Sequence, residues 1–148
     1  MIWACDFLQT YGALFRSIFV FVIIELESRW VVHVNVTRHP TDAWVAQQLL
    51  EVTPFGEGPR FLIRDNDKKY GGQFQHVVDG ANIEIVKTPV EAPRANAFCE
   101  RFLGSLRREC LDHVIVSVSV TGSDWCGNML TTLITSIPIK ASDAFLIR

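Results

Sequence analysis

The chain has 148 residues, 49% apolar and 20% charged, with a formal net charge of −2. That is about one domain with a core of its own, neither a disordered polymer nor a strongly basic nucleic-acid-binding module. The longest strongly apolar stretch, Ile18 to Ile24, is far short of the roughly 20 residues a membrane span needs, and no basic n-region marks a signal peptide.

Ile2-Trp3-Ala4-Cys5-Asp6-Phe7-Leu8 reads as a buried strand interrupted by a single acid, and Tyr11-Gly12 as a turn. The run from Ile18 to Ile24 is a strand buried on both faces. From Arg29 to Thr37, Trp30, Val32, Val34 and Val36 alternate with Val31, His33 and Asn35, which predicts a period-two strand. The short link from Glu25 to Ser28 makes the two strands a hairpin. Pro40-Thr41-Asp42 marks a helix start, and Val45, Ala46, Leu49 and Leu50 are its expected apolar face. Pro54, Gly56, Gly58 and Pro59 end it. Arg60 to Asp65 is the next strand, Gly71-Gly72 opens a short irregular or helical stretch, and Ala81 to Lys87 is a further strand. Pro89 and Pro93 bracket a loop before a last helix. On that helix Phe98, Phe102, Leu106 and Cys110 form a stripe expected to face the core, while Asn96, Glu100 and Arg107 share another face. The predicted order is β-β-β-α-β-α-β-α, an α/β fold in which helices cover a mixed sheet.

Three carboxylates stand out in this layout. Asp6 lies amid apolar neighbours, where an ionised group is costly unless a cation or donor compensates it. Asp65 closes the apolar run Phe61-Leu62-Ile63-Arg64, and Glu100 follows it on a helix. Taken singly, Asp65 or Asp67 reads as a turn residue and Glu100 as an exposed helix acid. If the first and fourth strands are neighbours, Asp6 and Asp65 converge, and two close carboxylates repel unless a metal sits between them. Acids at the ends of two strands and on a helix suit a divalent-metal phosphoryl-transfer site. Lys68, Lys69, Lys87, Arg94, Arg101, Arg107 and Arg108 crowd the same third of the chain, as a solvated face or as a phosphate track. The cysteines Cys5, Cys99, Cys110 and Cys126 form no CxxC pair, so buried thiols are expected rather than a zinc site. A cytoplasmic location follows as the default.

Trp3-Ala4-Cys5-Asp6-Phe7, Phe61 to Asp67, Thr88 to Phe102 and Arg107 to His113 together resemble the catalytic core of integrases and insertion-sequence transposases. The resemblance covers residues 1–116 and implies a ribonuclease-H-like, mixed five-stranded sheet with a D,D-35-E acid triad. It implies that Asp6, Asp65 and Glu100 bind two Mg²⁺ (or Mn²⁺) ions and cleave and join DNA phosphodiesters. Asp67 is then a turn residue. Arg107 is expected to touch DNA, and Asn96 to orient DNA or Glu100; Lys68, Lys69 and Arg94 are further DNA-contact candidates. DNA is the implied partner, at mobile-element ends and targets and so at the nucleoid, with self-association of the full-length family.

The likeness stops after about Val116, and residues 117–148 are expected to be a divergent tail, frameshifted or truncated. With Met1 five residues before the first acid, the upstream DNA-binding domain usual in the family is not expected here. The alternatives are an inactive remnant with weak nucleic-acid binding at most, or a ribonuclease-H-like nuclease.

Overall fold

The computed structural model describes residues 1–11, 15–87, 97–108 and 146–147. The first strand, β1 (Ile2–Tyr11), lies inside the sheet rather than at its edge. β2 (Ser17–Glu25) and β3 (Trp30–Thr37) continue from it as an antiparallel meander. After α1 (Asp42–Val52) the chain returns to the other side of β1, where β4 (Phe61–Arg64) pairs with it in parallel. α2 (Gly72–Gly80) leads to β5 (Glu84–Lys87), parallel to β4, and α3 (Ala97–Leu106) follows. The spatial order is β5-β4-β1-β2-β3, extended by the two-residue β6 (Leu146–Ile147) beside β3. The expected five-stranded mixed sheet and element order are observed, with β6 added.

Alternation divides the sheet between two cores. Trp3, Cys5, Phe21, Ile23 and Leu62 meet Val45, Leu49, Phe74 and Val78 of α1 and α2. The other face carries Ala4, Ile18, Val20, Val22 and Ile24, all buried, with α3 in contact with β1 and β2. From Ile18 to Ile24, β2 therefore needs apolar residues on both faces, which is why its sequence shows no alternation there.

Two expectations are corrected. Leu50 does not join the α1 core face; it is 50% exposed, and Gln48 is buried instead. At about 100° per residue Leu50 points roughly 100° away from Leu49. Gln48 fills the place because its Oε1 accepts from Asn35 Nδ2 (2.6 Å) and meets His33 Nε2 (2.9 Å), tying α1 to β3. On β3 the strict alternation also breaks. Ile23 pairs with His33 but Ile24 with Val31, so Val32 is the extra residue of a bulge, and Val31 and Val34 are the buried valines. The side chains expected to form the α3 stripe, Phe98, Phe102, Leu106 and Cys110, lie outside the described residues. Among the α3 side chains that are described, Leu103 is buried and Glu100 and Arg101 are exposed.

The two helices on one face are joined by a cap supplied across the fold. Thr41 Oγ1 caps α1 by accepting from Trp44 N–H, which leaves the neighbouring Asp42 available to α2. Its carboxylate accepts from the backbone N–H groups of Gly71 (2.9 Å), Gln73 (2.8 Å) and Phe74 (2.9 Å). Burial opposes the charge, but those donors prevail and hold Asp42 below the usual carboxylate range. Gly71 is required at the contact, because a Cβ there would stand 2.6 Å from Asp42 Oδ2.

Candidate active site

Parallel pairing of β1 with β4 sets the positions of the first two acids. Ala4 pairs with Ile63, and two residues further along each chain come Asp6 and Asp65. Both therefore stand at one level and on one face, the face that α3 covers. Asp6 has Ala4 and Leu8 along its strand and Val22 opposite it, so its surroundings are apolar. The backbone N–H of Phe7 donates to Asp6 Oδ1 at 2.7 Å. Asp65 lies just past the end of β4, where its Oδ1 accepts from the N–H of Asp67 at 3.3 Å. Glu100 sits in the first turn of α3 and is exposed.

The electrostatics link these three side chains. Burial pushes the Asp6 carboxyl up to about 6, and the negative charges of Asp65, Glu100 and Asp67 push in the same direction against the Phe7 hydrogen bond. Asp6 thus feels both of the other acids. Among the described residues, no three His, Cys, Asp or Glu side chains are gathered at metal-holding distances as they stand. The donor chemistry nonetheless fits a hard divalent cation, since all three groups offer carboxylate oxygens. A cation among them would turn mutual repulsion into attraction, and would relieve Asp6, whose carboxyl is pushed up by burial and by its neighbours.

Asp67 is engaged elsewhere, as the turn reading has it. Its Oδ1 accepts from Lys69 N–H at 3.1 Å, and its other oxygen is ion-paired with Lys69 Nζ. Burial raises its pKa, but these Lys69 contacts outweigh that and hold the carboxyl below its ordinary value. Lys69 also lies over the rings of Phe7 (5.1 Å) and Phe19 (5.5 Å). Phe7 packs with Trp44 and Tyr70, so Lys69 is carried to the sheet face opposite Asp6. Lys68 is exposed, as is Arg107 in a wider turn just beyond α3. Arg94 and Asn96 lie outside the described residues.

One contributor escaped the sequence reading. Arg64, 5% exposed, points into the α1–α2 side of the sheet, stacks over Tyr70 (4.8 Å) and Phe74 (5.9 Å), and donates from Nη1 to the carbonyl of Asp65 at 2.8 Å. It is a positioning residue for the turn that presents Asp65. The available signal was a lone arginine inside an otherwise apolar strand, which needs an aromatic and hydrogen-bonded seat to be buried.

No protein-family model and no curated protein matches the sequence. Solved structures do match. A chain of the simian T-cell lymphotropic virus intasome, in complex with PP2A regulatory subunit B56 gamma, superposes with a TM-score of 0.69 at 18% identity over 92% of this chain. This chain spans 47% of that one. The catalytic core domain of BIV integrase gives 0.65 at 16% identity, covering 97% of this chain and 86% of its own. The HTLV-2 integrase catalytic core domain in complex with magnesium, in its dimeric form, gives 0.53 at 16% identity, covering 77% of this chain and 76% of its own. The fold is that of a retroviral integrase catalytic core, a ribonuclease-H-like architecture.

Proposed function

We propose that the chain is a polynucleotidyl-transferase core for DNA integration or transposition. The observation that carries this reading is that Asp6 and Asp65 stand at one level on paired strands, with Asp6 in the field of both Asp65 and Glu100. Mg²⁺ or Mn²⁺ held by these three residues, as two ions, would supply activation of a hydroxyl and stabilisation of the leaving oxygen. The chain's own side chains do the rest. Asp6 offers a carboxylate from within an apolar wall, Arg64 fixes the Asp65 turn, and Glu100 offers its carboxylate from the first turn of α3. Lys68 and Arg107, both exposed, are assigned to the phosphates of bound DNA, with Arg94, Asn96 and Lys69 as further contacts. For Lys69 that role requires release from Asp67.

Magnesium in the complex of the HTLV-2 core, and the dimeric and trimeric forms of that domain, support a metal requirement and self-association here. We assign residues 1–116 to the catalytic core and 117–148 to a divergent tail, acting in the cytoplasm on nucleoid DNA. The test is nicking and joining of duplex oligonucleotides carrying the element ends, with and without Mg²⁺. Metal-dependent products that vanish in Asp65→Asn are expected. Wild-type activity in that variant would sink the assignment, no metal-dependent cleavage at all would mark an inactive remnant, and preference for RNA–DNA hybrids would make the chain a nuclease.

A further inference from the structure

On the face it shares with Phe7, the β1–β2 hairpin runs past α1, while its other face stays covered at Ile18 and Val20. Its pairing extends to Tyr11 opposite Ser17, whereas the aromatic packing against α1 ends at Phe7 and Phe21. Beyond that point Gln9 and Tyr11 are exposed, Tyr11 by 57%. Phe15, on the returning side, is 91% exposed and holds a positive φ of 53°, a backbone region that bulky residues rarely adopt. Arg16 beside it is exposed too. From Gln9 to Val20 the sequence contains no Asp or Glu, and Arg16 is its sole charge. Two aromatic rings and a cation therefore share the tip, with no acid on it to repel a phosphate.

The placement matters as much as the chemistry. Tyr11 lies five residues beyond Asp6 on the same strand, about 17 Å further along at about 3.4 Å per residue. Alternation puts it on the Phe7 face, so DNA reaching from the acids to Tyr11 passes around the hairpin end. A strand that carries a candidate catalytic carboxylate thus carries a stacking surface at its far end. We propose that this tip binds unpaired nucleotides of the DNA held at the acid site, Tyr11 and Phe15 stacking on bases and Arg16 meeting a phosphate. The inference rests on the function proposed above and adds the part of the DNA, an unpaired end, that the chain grips. Stacking on aromatic side chains suits unpaired bases of any sequence and is closed to bases inside an intact duplex.

Fluorescence anisotropy of the full chain without divalent metal provides the test, using a labelled blunt duplex and the same duplex with a short unpaired end. Tyr11→Ala and Phe15→Ala are each expected to weaken binding to the unpaired end about tenfold while blunt-duplex binding stays about unchanged. Phe15→Trp should keep the preference, and Arg16→Gln should weaken binding and flatten its salt dependence. Urea unfolding of these variants should match wild type, since the side chains are exposed. Equal losses on both DNAs, no loss on either, or a loss only in binding to anionic lipid vesicles would overturn the assignment. A wild-type chain that binds neither DNA would take the proposed function down with it. Metal-dependent cleavage with unaltered tip variants would remove the tip assignment alone.

Discussion

Asp6→Asn removes a charge that β1 holds against Ala4, Leu8 and Val22, and the consequence should depend on pH. The Asp6 carboxyl titrates at about 6 in the fold against an ordinary 3.8, with burial as the main cause. A folded-state pKa above the unfolded one means that the native state binds the proton more tightly. The stabilising contribution is therefore complete below about pH 3.8 and is lost as pH rises through about 6. The shift of about two units corresponds to about 3 kcal/mol, a large part of a typical domain's stability. Asparagine is nearly isosteric, stays neutral, and its carbonyl can still accept from Phe7 N–H. In metal-free buffer the variant should thus equal wild type near pH 4 and exceed it by up to about 3 kcal/mol at pH 7.5. With an m-value of about 2 kcal/mol/M this moves the urea midpoint by about 1.5 M. Adding Mg²⁺ should stabilise wild type and leave the variant unmoved, narrowing the gap. A gap that is the same at both pH values, or a wild-type stability that rises over that interval without metal, would refute the reasoning.

Other perturbations separate the supporting contacts. Asp42→Ala should lower stability by about 1 kcal/mol as α2 loses its cap, and Gly71→Ala should act through the same contact. A double-mutant cycle in urea should find the pair clearly less than additive; full additivity would deny the contact. Arg64→Met should cost about 2 kcal/mol through its lost hydrogen bond to the Asp65 carbonyl, and should reduce metal-dependent cleavage more than it reduces DNA affinity. Retained cleavage would show that Arg64 does not position Asp65. Leu50→Gln should change stability by under about 0.5 kcal/mol, because the side chain is half exposed. Gln48→Leu should cost about 1–3 kcal/mol by stranding the amide of Asn35. The reverse ranking in thermal unfolding would restore Leu50 to the core.

The amino-acid sequence by itself determined the strand and helix order. Periods of two and of about four are local properties of the chain, and Pro and Gly mark where they stop. It also singled out Asp6, because an acid inside an apolar strand is conspicuous without any knowledge of its neighbours. Tertiary structure decided everything that depends on which strands pair. Asp6 and Asp65 reach one level only because β4 docks parallel to β1, a non-local choice that no window of sequence encodes. The exchange of Leu50 for Gln48 required the amide of Asn35 and the ring of His33 to arrive from β3. The α2 cap came from Asp42, which by sequence serves only its own helix. Lys69 and Lys68 are neighbours in the chain, yet the pairing with Asp67 turns Lys69 to the face away from Asp6. In each case the sequence supplied a residue with a polar or charged group to satisfy, and the fold chose its partner.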